Sequence, residues 1–190
     1  PRPNIFMSGS ALLFGISIAF EIFGESLPQN IAPWQETLFR ISGIIAIIYL
    51  ALFAINKFIY IPFLDKASPL LAIYLICKII VSFSSISSLA LISDNILLLC
   101  AYCVCLLFSV NFAKVYNEID TEKGFRKLLA TGLCSVILCF SQAVPHIVYN
   151  ASNGFNYLHT SMEANINILF MGLFIASFIF SHFSKKNACS

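Results

Sequence analysis

Charge is what this sequence has least of. Asp, Glu, Lys and Arg make up 11% of its 190 residues, against roughly 25% in an ordinary soluble domain. The net charge is only +2, and no basic cluster with interleaved aromatics occurs, which argues against direct nucleic-acid contact by this segment. Walker loops, the His-Glu-x-x-His and Gly-x-Ser-x-Gly motifs and paired catalytic carboxylates are all missing, so catalysis has no support and no cofactor is expected. Cysteine is almost lacking outside apolar stretches. Of seven, only Cys189 lies beyond them, and the others read as small packing residues rather than a disulfide framework.

What is present is apolar surface. Hydrophobic residues make up 59% of the chain, more than a soluble fold of this size can hide, so the surrounding solvent is expected to be a bilayer. The sequence predicts an all-α, polytopic membrane protein with six spans: 5–23, 38–55, 69–92, 95–112, 128–149 and 164–183. About 20 helical residues at 1.5 Å rise cross a hydrocarbon core of roughly 30 Å. Only Ser93 and Asp94 separate the third and fourth spans, which predicts a tight hairpin there. The first residue is Pro rather than Met, as in a processed or trimmed chain. The apolar stretch after Arg2 is too long for a signal peptide and is taken as a retained helix.

The cations sort themselves. Arg2, Lys57, Lys66, Lys114, Lys123, Arg126, Lys127, Lys185 and Lys186 all fall before the first span, after the sixth, or in the second and fourth loops. The first, third and fifth loops contain none; their charges are Glu25, Glu36, Asp94 and Glu163. The positive-inside rule then puts both termini in the cytoplasm. The expected location is a cell membrane, most simply a bacterial inner membrane.

Ionisable groups inside a membrane are costly and face protein or a water-filled cavity. Lys78 stands nine residues into the third span, about 13 Å deep by helical rise. It is either a substrate or counter-ion contact or a lysine snorkelling to the interface. Arg40 is read as an interfacial anchor near Trp34 or as half of a structural ion pair with Glu21, and Glu21 as that partner or as a site residue. In the fifth span Thr131, Ser135, Cys139, Gln142 and His146 recur at helical spacing on one face. They either bond to neighbouring helices or line a cavity. The serines from Ser82 to Ser88 read as close helix packing.

Weaker signals stand beside these. Cys100 and Cys103 have the spacing of a redox pair, the basis of a minor alternative as a membrane thiol oxidoreductase, but apolar burial suppresses the thiolate. His159 and Glu163 are too few to hold a metal. Asn150-Ala-Ser152 fits a glycosylation acceptor.

The loop plan resembles the amino-terminal half of a major facilitator superfamily transporter. Leu64-Asp65-Lys66 is similar to the core of that family's Leu-Ala-Asp-Arg signature. Leu27-Pro28, Glu122-Lys123-Gly124-Phe125-Arg126 and Pro145 fit the positions of similar residues. The signature's glycines are absent around Asp65, and Val144 stands where glycine would precede Pro145. The resemblance implies transport of a small solute between two six-helix bundles, the second in the same chain or in a homodimer. Glu21, Lys78, Tyr102, Gln142 and His146 are the expected substrate contacts, with Glu21 or His146 exchanging protons. The same scaffold resembles the membrane part of LuxR-type regulators, which implies a ligand sensor coupled to a cytoplasmic regulatory domain.

Overall fold

The computed structural model describes residues 5–24, 32–56, 61, 63–84, 92–117, 122–152 and 162–187. They form α1 (Ile5–Phe23), α2 (Pro33–Ile55), α3 (Pro69–Ser84), α4 (Ile92–Tyr116), α5 (Glu122–Ser152) and α6 (Met162–Asn187). Each helix packs against its neighbours in the chain, and α6 returns to pack against α1, so the six close into a ring. Neighbours are antiparallel. Ser10 near the start of α1 meets Ser177 toward the end of α6, and Gln35 at the start of α2 meets Ser84 at the end of α3. One end of the ring therefore holds Lys66, Lys114, Arg126 and Lys127 and is called the basic end below.

Among the described residues, four helical stretches are long and apolar enough to cross a bilayer: Ile5–Phe23, Pro33–Ile55, Ile96–Tyr116 and Gly124–Tyr149. Pro69–Ser84 and Asn165–Ser181 are shorter apolar helices. The ring's outer surface is covered by side chains such as Phe20, Ile41, Ile76, Leu107, Ile137 and Phe180, all substantially exposed. Apolar side chains facing outward on every helix suit a lipid surround rather than water.

Local chemistry fixes the ends. Pro33 opens α2 where its missing N–H is no loss, and the Gln35 side-chain carbonyl accepts from the Ala32 N–H at 3.3 Å. At the basic end the Asn56 side chain accepts from the Ile61 N–H at 2.8 Å. Asn117, just past α4, donates to Ser68 at 3.2 Å, and Ser68 donates in turn to the Asp65 carbonyl at 2.7 Å. The Leu64–Asp65–Lys66 turn is thereby tied to the end of α4.

The boundaries differ from the hydropathy reading in one instructive place. Ser93 and Asp94, expected to form the turn between the third and fourth spans, lie inside the first turn of α4. Ser and Asp are favoured at helix starts, so a short polar pair there opens a helix as readily as it makes a hairpin. The third helix is described as far as Ser84, and residues 85–91 of its expected span lie outside the described residues. Helices α2, α4, α5 and α6 all run past the apolar segments that marked them.

The interior of the ring divides in two. Toward the basic end it is filled by rings. Phe53 of α2 meets Phe174 of α6 at 6.0 Å and Phe112 of α4 at 6.2 Å between centroids, and Phe112 meets Phe178 of α6 at 5.3 Å. The backbones of α2, α4 and α6 do not pack on one another, so these side chains bridge the ring's width. Edge-to-face pairs of this kind add attraction beyond the area they bury. Toward the opposite end Glu21, Lys78, Gln142 and Asn167 are buried among apolar side chains such as Ile18, Ile22 and Ile168.

Candidate functional site

Glu21 lies two residues before the end of α1 and Lys78 six before the end of α3. Both are buried, at 7% and 5% exposure, and their carboxylate and ammonium form an ion pair. Asn167 of α6 donates its amide N–H to the Glu21 Oε2. Tyr74 of α3 donates its hydroxyl to the same oxygen at 3.4 Å and accepts from Asn167 at 3.2 Å. One carboxylate thus gathers donors from two other helices, neither a backbone neighbour of the other.

Around the ammonium stand two aromatic rings. The Lys78 Nζ lies 5.2 Å from the centroid of Phe39 on α2 and 5.6 Å from that of Tyr102 on α4. Both distances are within cation–π range. Phe39 is held by stacking on Tyr74, with centroids 6.0 Å apart. The Tyr102 hydroxyl is buried without a hydrogen-bond partner among the described residues. By helical rise all these groups lie within about 15 Å of the helix ends opposite the basic end.

The expected site residues divide. Glu21 and Lys78 meet directly, and Tyr102 joins them through its ring. Lys78 turns its amine to Glu21 in the interior rather than snorkelling to an interface. Gln142 and His146, on the inner face of α5, bond to each other at 3.4 Å. The rest of that stripe is satisfied locally or by α4. Ser135 donates to the Thr131 carbonyl at 2.7 Å, Thr131 accepts from Asn111 at 3.5 Å, and Cys139 meets Cys105 at 3.4 Å.

Arg40 does not pair with Glu21. It bonds Glu36 one turn earlier in its own helix, at 2.9 Å, with both side chains two-fifths exposed. The local partner wins because i,i+4 residues are already neighbours, whereas Glu21 points into the ring. Cys100 and Cys103 are exposed on α4, apart from the buried Cys105–Cys139 contact.

Three participants were not foreseen: Phe39, Tyr74 and Asn167. Tyr74 stands four residues before Lys78 and so shares its face. Asn167, like Asn165, is a bare amide inside an apolar run. Either pattern was a usable signal. The serines from Ser85 to Ser88, Leu27, Pro28, His159 and Cys189 lie outside the described residues, as do the side chains of Glu163, Asn150 and Ala151.

No group of three His, Cys, Asp or Glu residues able to hold a metal occurs among the described residues. Compared with protein-family models, with curated proteins and with solved structures, the chain gives no match.

Proposed function

We propose that this chain is a six-span domain of a bacterial inner membrane, both ends cytoplasmic, that binds a small solute from the outer side at Glu21 and Lys78. The observation that carries the reading is a buried carboxylate and ammonium, cross-linked to an amide and a phenol, in a ring whose buried side chains are mostly apolar. Apolar residues of similar volume would hold the helices together at least as well, so such a cluster argues for a use beyond stability.

Sensing fits this geometry best. The site lies inside one closed ring, and rings of Phe53, Phe112, Phe174 and Phe178 fill the way to the basic end. A solute entering from the opposite end would exchange its contacts for those that join α1, α3 and α6. The shift in helix packing would pass to the ends of α4 and α6, where a cytoplasmic regulatory domain would read it.

The second reading is facilitator-like transport, favoured by the loop plan. It requires the aromatic cluster to part and a second bundle, in the same chain or a homodimer, to complete the route. The test is thermal stability of the purified chain in lipid nanodiscs across a panel of small solutes, with Glu21→Gln beside the wild type. A solute that stabilises the wild type alone supports the site. Uptake of that solute into proteoliposomes then separates transport from sensing, and loss of uptake without a proton gradient assigns the coupling. A panel that leaves both proteins unmoved removes the reading.

A further inference from the structure

Resting on the solute-binding reading above, we infer that the solute is a small organic cation, an amine, and that Lys78 is its built-in competitor. The position of the Lys78 ammonium has the elements of an amine site. A carboxylate faces it, and the rings of Phe39 and Tyr102 stand 5.2 and 5.6 Å away. Carboxylate and aromatic rings together select a cation over an anion or a neutral group.

The two charges differ in the length of the stems that carry them. Glu21 carries a short stem and is fixed through one oxygen by Asn167 and Tyr74, from α6 and α3. It keeps those donors when the ammonium leaves. Lys78 carries its ammonium on a flexible four-carbon stem, which can swing further than the Glu21 carboxylate. When it swings away it leaves a carboxylate and two rings for an incoming ammonium. An anionic solute would have to expel Glu21 instead, against two helices' donors. The Tyr102 hydroxyl, buried without a hydrogen-bond partner among the described residues, supplies a further polar contact beside the same ring.

The consequence is an affinity set by competition. A tethered ammonium occupies the site at high effective concentration, so only the fraction with Lys78 displaced accepts the solute. Displacement also breaks the Glu21–Lys78 link between α1 and α3, so cation binding would itself produce the change in helix packing.

The test uses the full chain in nanodiscs, with empty nanodiscs as the partition control. The probes are phenethylammonium and its near-isosteric anion 3-phenylpropanoate, measured by calorimetry. Wild type should bind the cation and not the anion. Lys78→Met should bind the cation about tenfold tighter, because the competitor is gone. Glu21→Gln should lose it. Phe39→Leu, which keeps the charge pair, should weaken the cation alone and serves if Lys78→Met fails to fold. Weaker cation binding by Lys78→Met, or unchanged binding by Phe39→Leu, would overturn the proposal. Binding of the anion in place of the cation would overturn it too, while leaving the solute site standing. Silence of both probes on wild type and variants alike would remove the site as well.

Discussion

Glu21 and Lys78 join two helices whose backbones do not pack against each other: the carboxylate of α1 and the ammonium of α3 meet inside the ring. Removing one partner leaves the other charged and buried. Glu21→Gln or Lys78→Met alone should therefore cost about 3–5 kcal/mol. The double variant should recover much of that, since no charge is then stranded, giving a strongly non-additive cycle. Unfolding of the chain in mixed micelles measures all four corners.

The Arg40–Glu36 pair provides the contrast. Both side chains are about 42% exposed and the pair spans one helical turn. Arg40→Ala should change stability by no more than about 0.5 kcal/mol. A loss near that of Lys78→Met, under the same unfolding conditions, would mean that Arg40 has a role in the fold that this pair does not explain.

Phe53 is the hub of the aromatic cluster, touching Tyr49, Phe112, Tyr116 and Phe174. Phe53→Ala should destabilise toward the lower end of the about 3–5 kcal/mol seen for buried Phe truncations. The lower end applies because lipid solvates a ring almost as well as protein does, leaving mainly packing to lose. Phe180→Ala, on the outward face at 75% exposure, should change little under the same measurement.

The α5–α6 seam depends on a missing side chain. A Cβ at Gly172 would lie 2.9 Å from the Cβ of Cys139, an atom that no rotamer change can move, so the helices would have to part. Gly172→Ala should destabilise by about 1–3 kcal/mol. Gly9 on α1 has nothing within 4 Å of that position. Gly9→Ala should be neutral or gain up to about 1 kcal/mol from helix propensity. Equal melting temperatures for the two variants would contradict the packing.

Helix existence and alternation were legible because apolar runs of spanning length leave few other structures, and α1 falls on its expected bounds. Ends were less legible. Hydropathy marks where the chain leaves an apolar layer, whereas α2 and α5 continue as helices through Pro33–Thr37 and Glu122–Lys127. The inward stripe of α5 was readable from spacing alone, since Ser135, Cys139 and Gln142 are buried. Its partners were not. Periodicity gives each helix a face but not the helix that face meets, and pairing Glu21 with Lys78 requires the order of helices around the ring. Arg40, closer in sequence to Glu21, was the natural first choice and is taken by Glu36.

Cysteine accessibility in intact cells tests the proposed function most directly: a buried polar site that a solute enters from the outside, above an aromatic cluster. In a background with the native cysteines replaced, a membrane-impermeant thiol reagent should label His146→Cys from the outside and leave Phe53→Cys unmodified. The stabilising solute should protect His146→Cys. Labelling of Phe53→Cys from outside, or of His146→Cys only after the cytoplasmic face is exposed, would contradict the account.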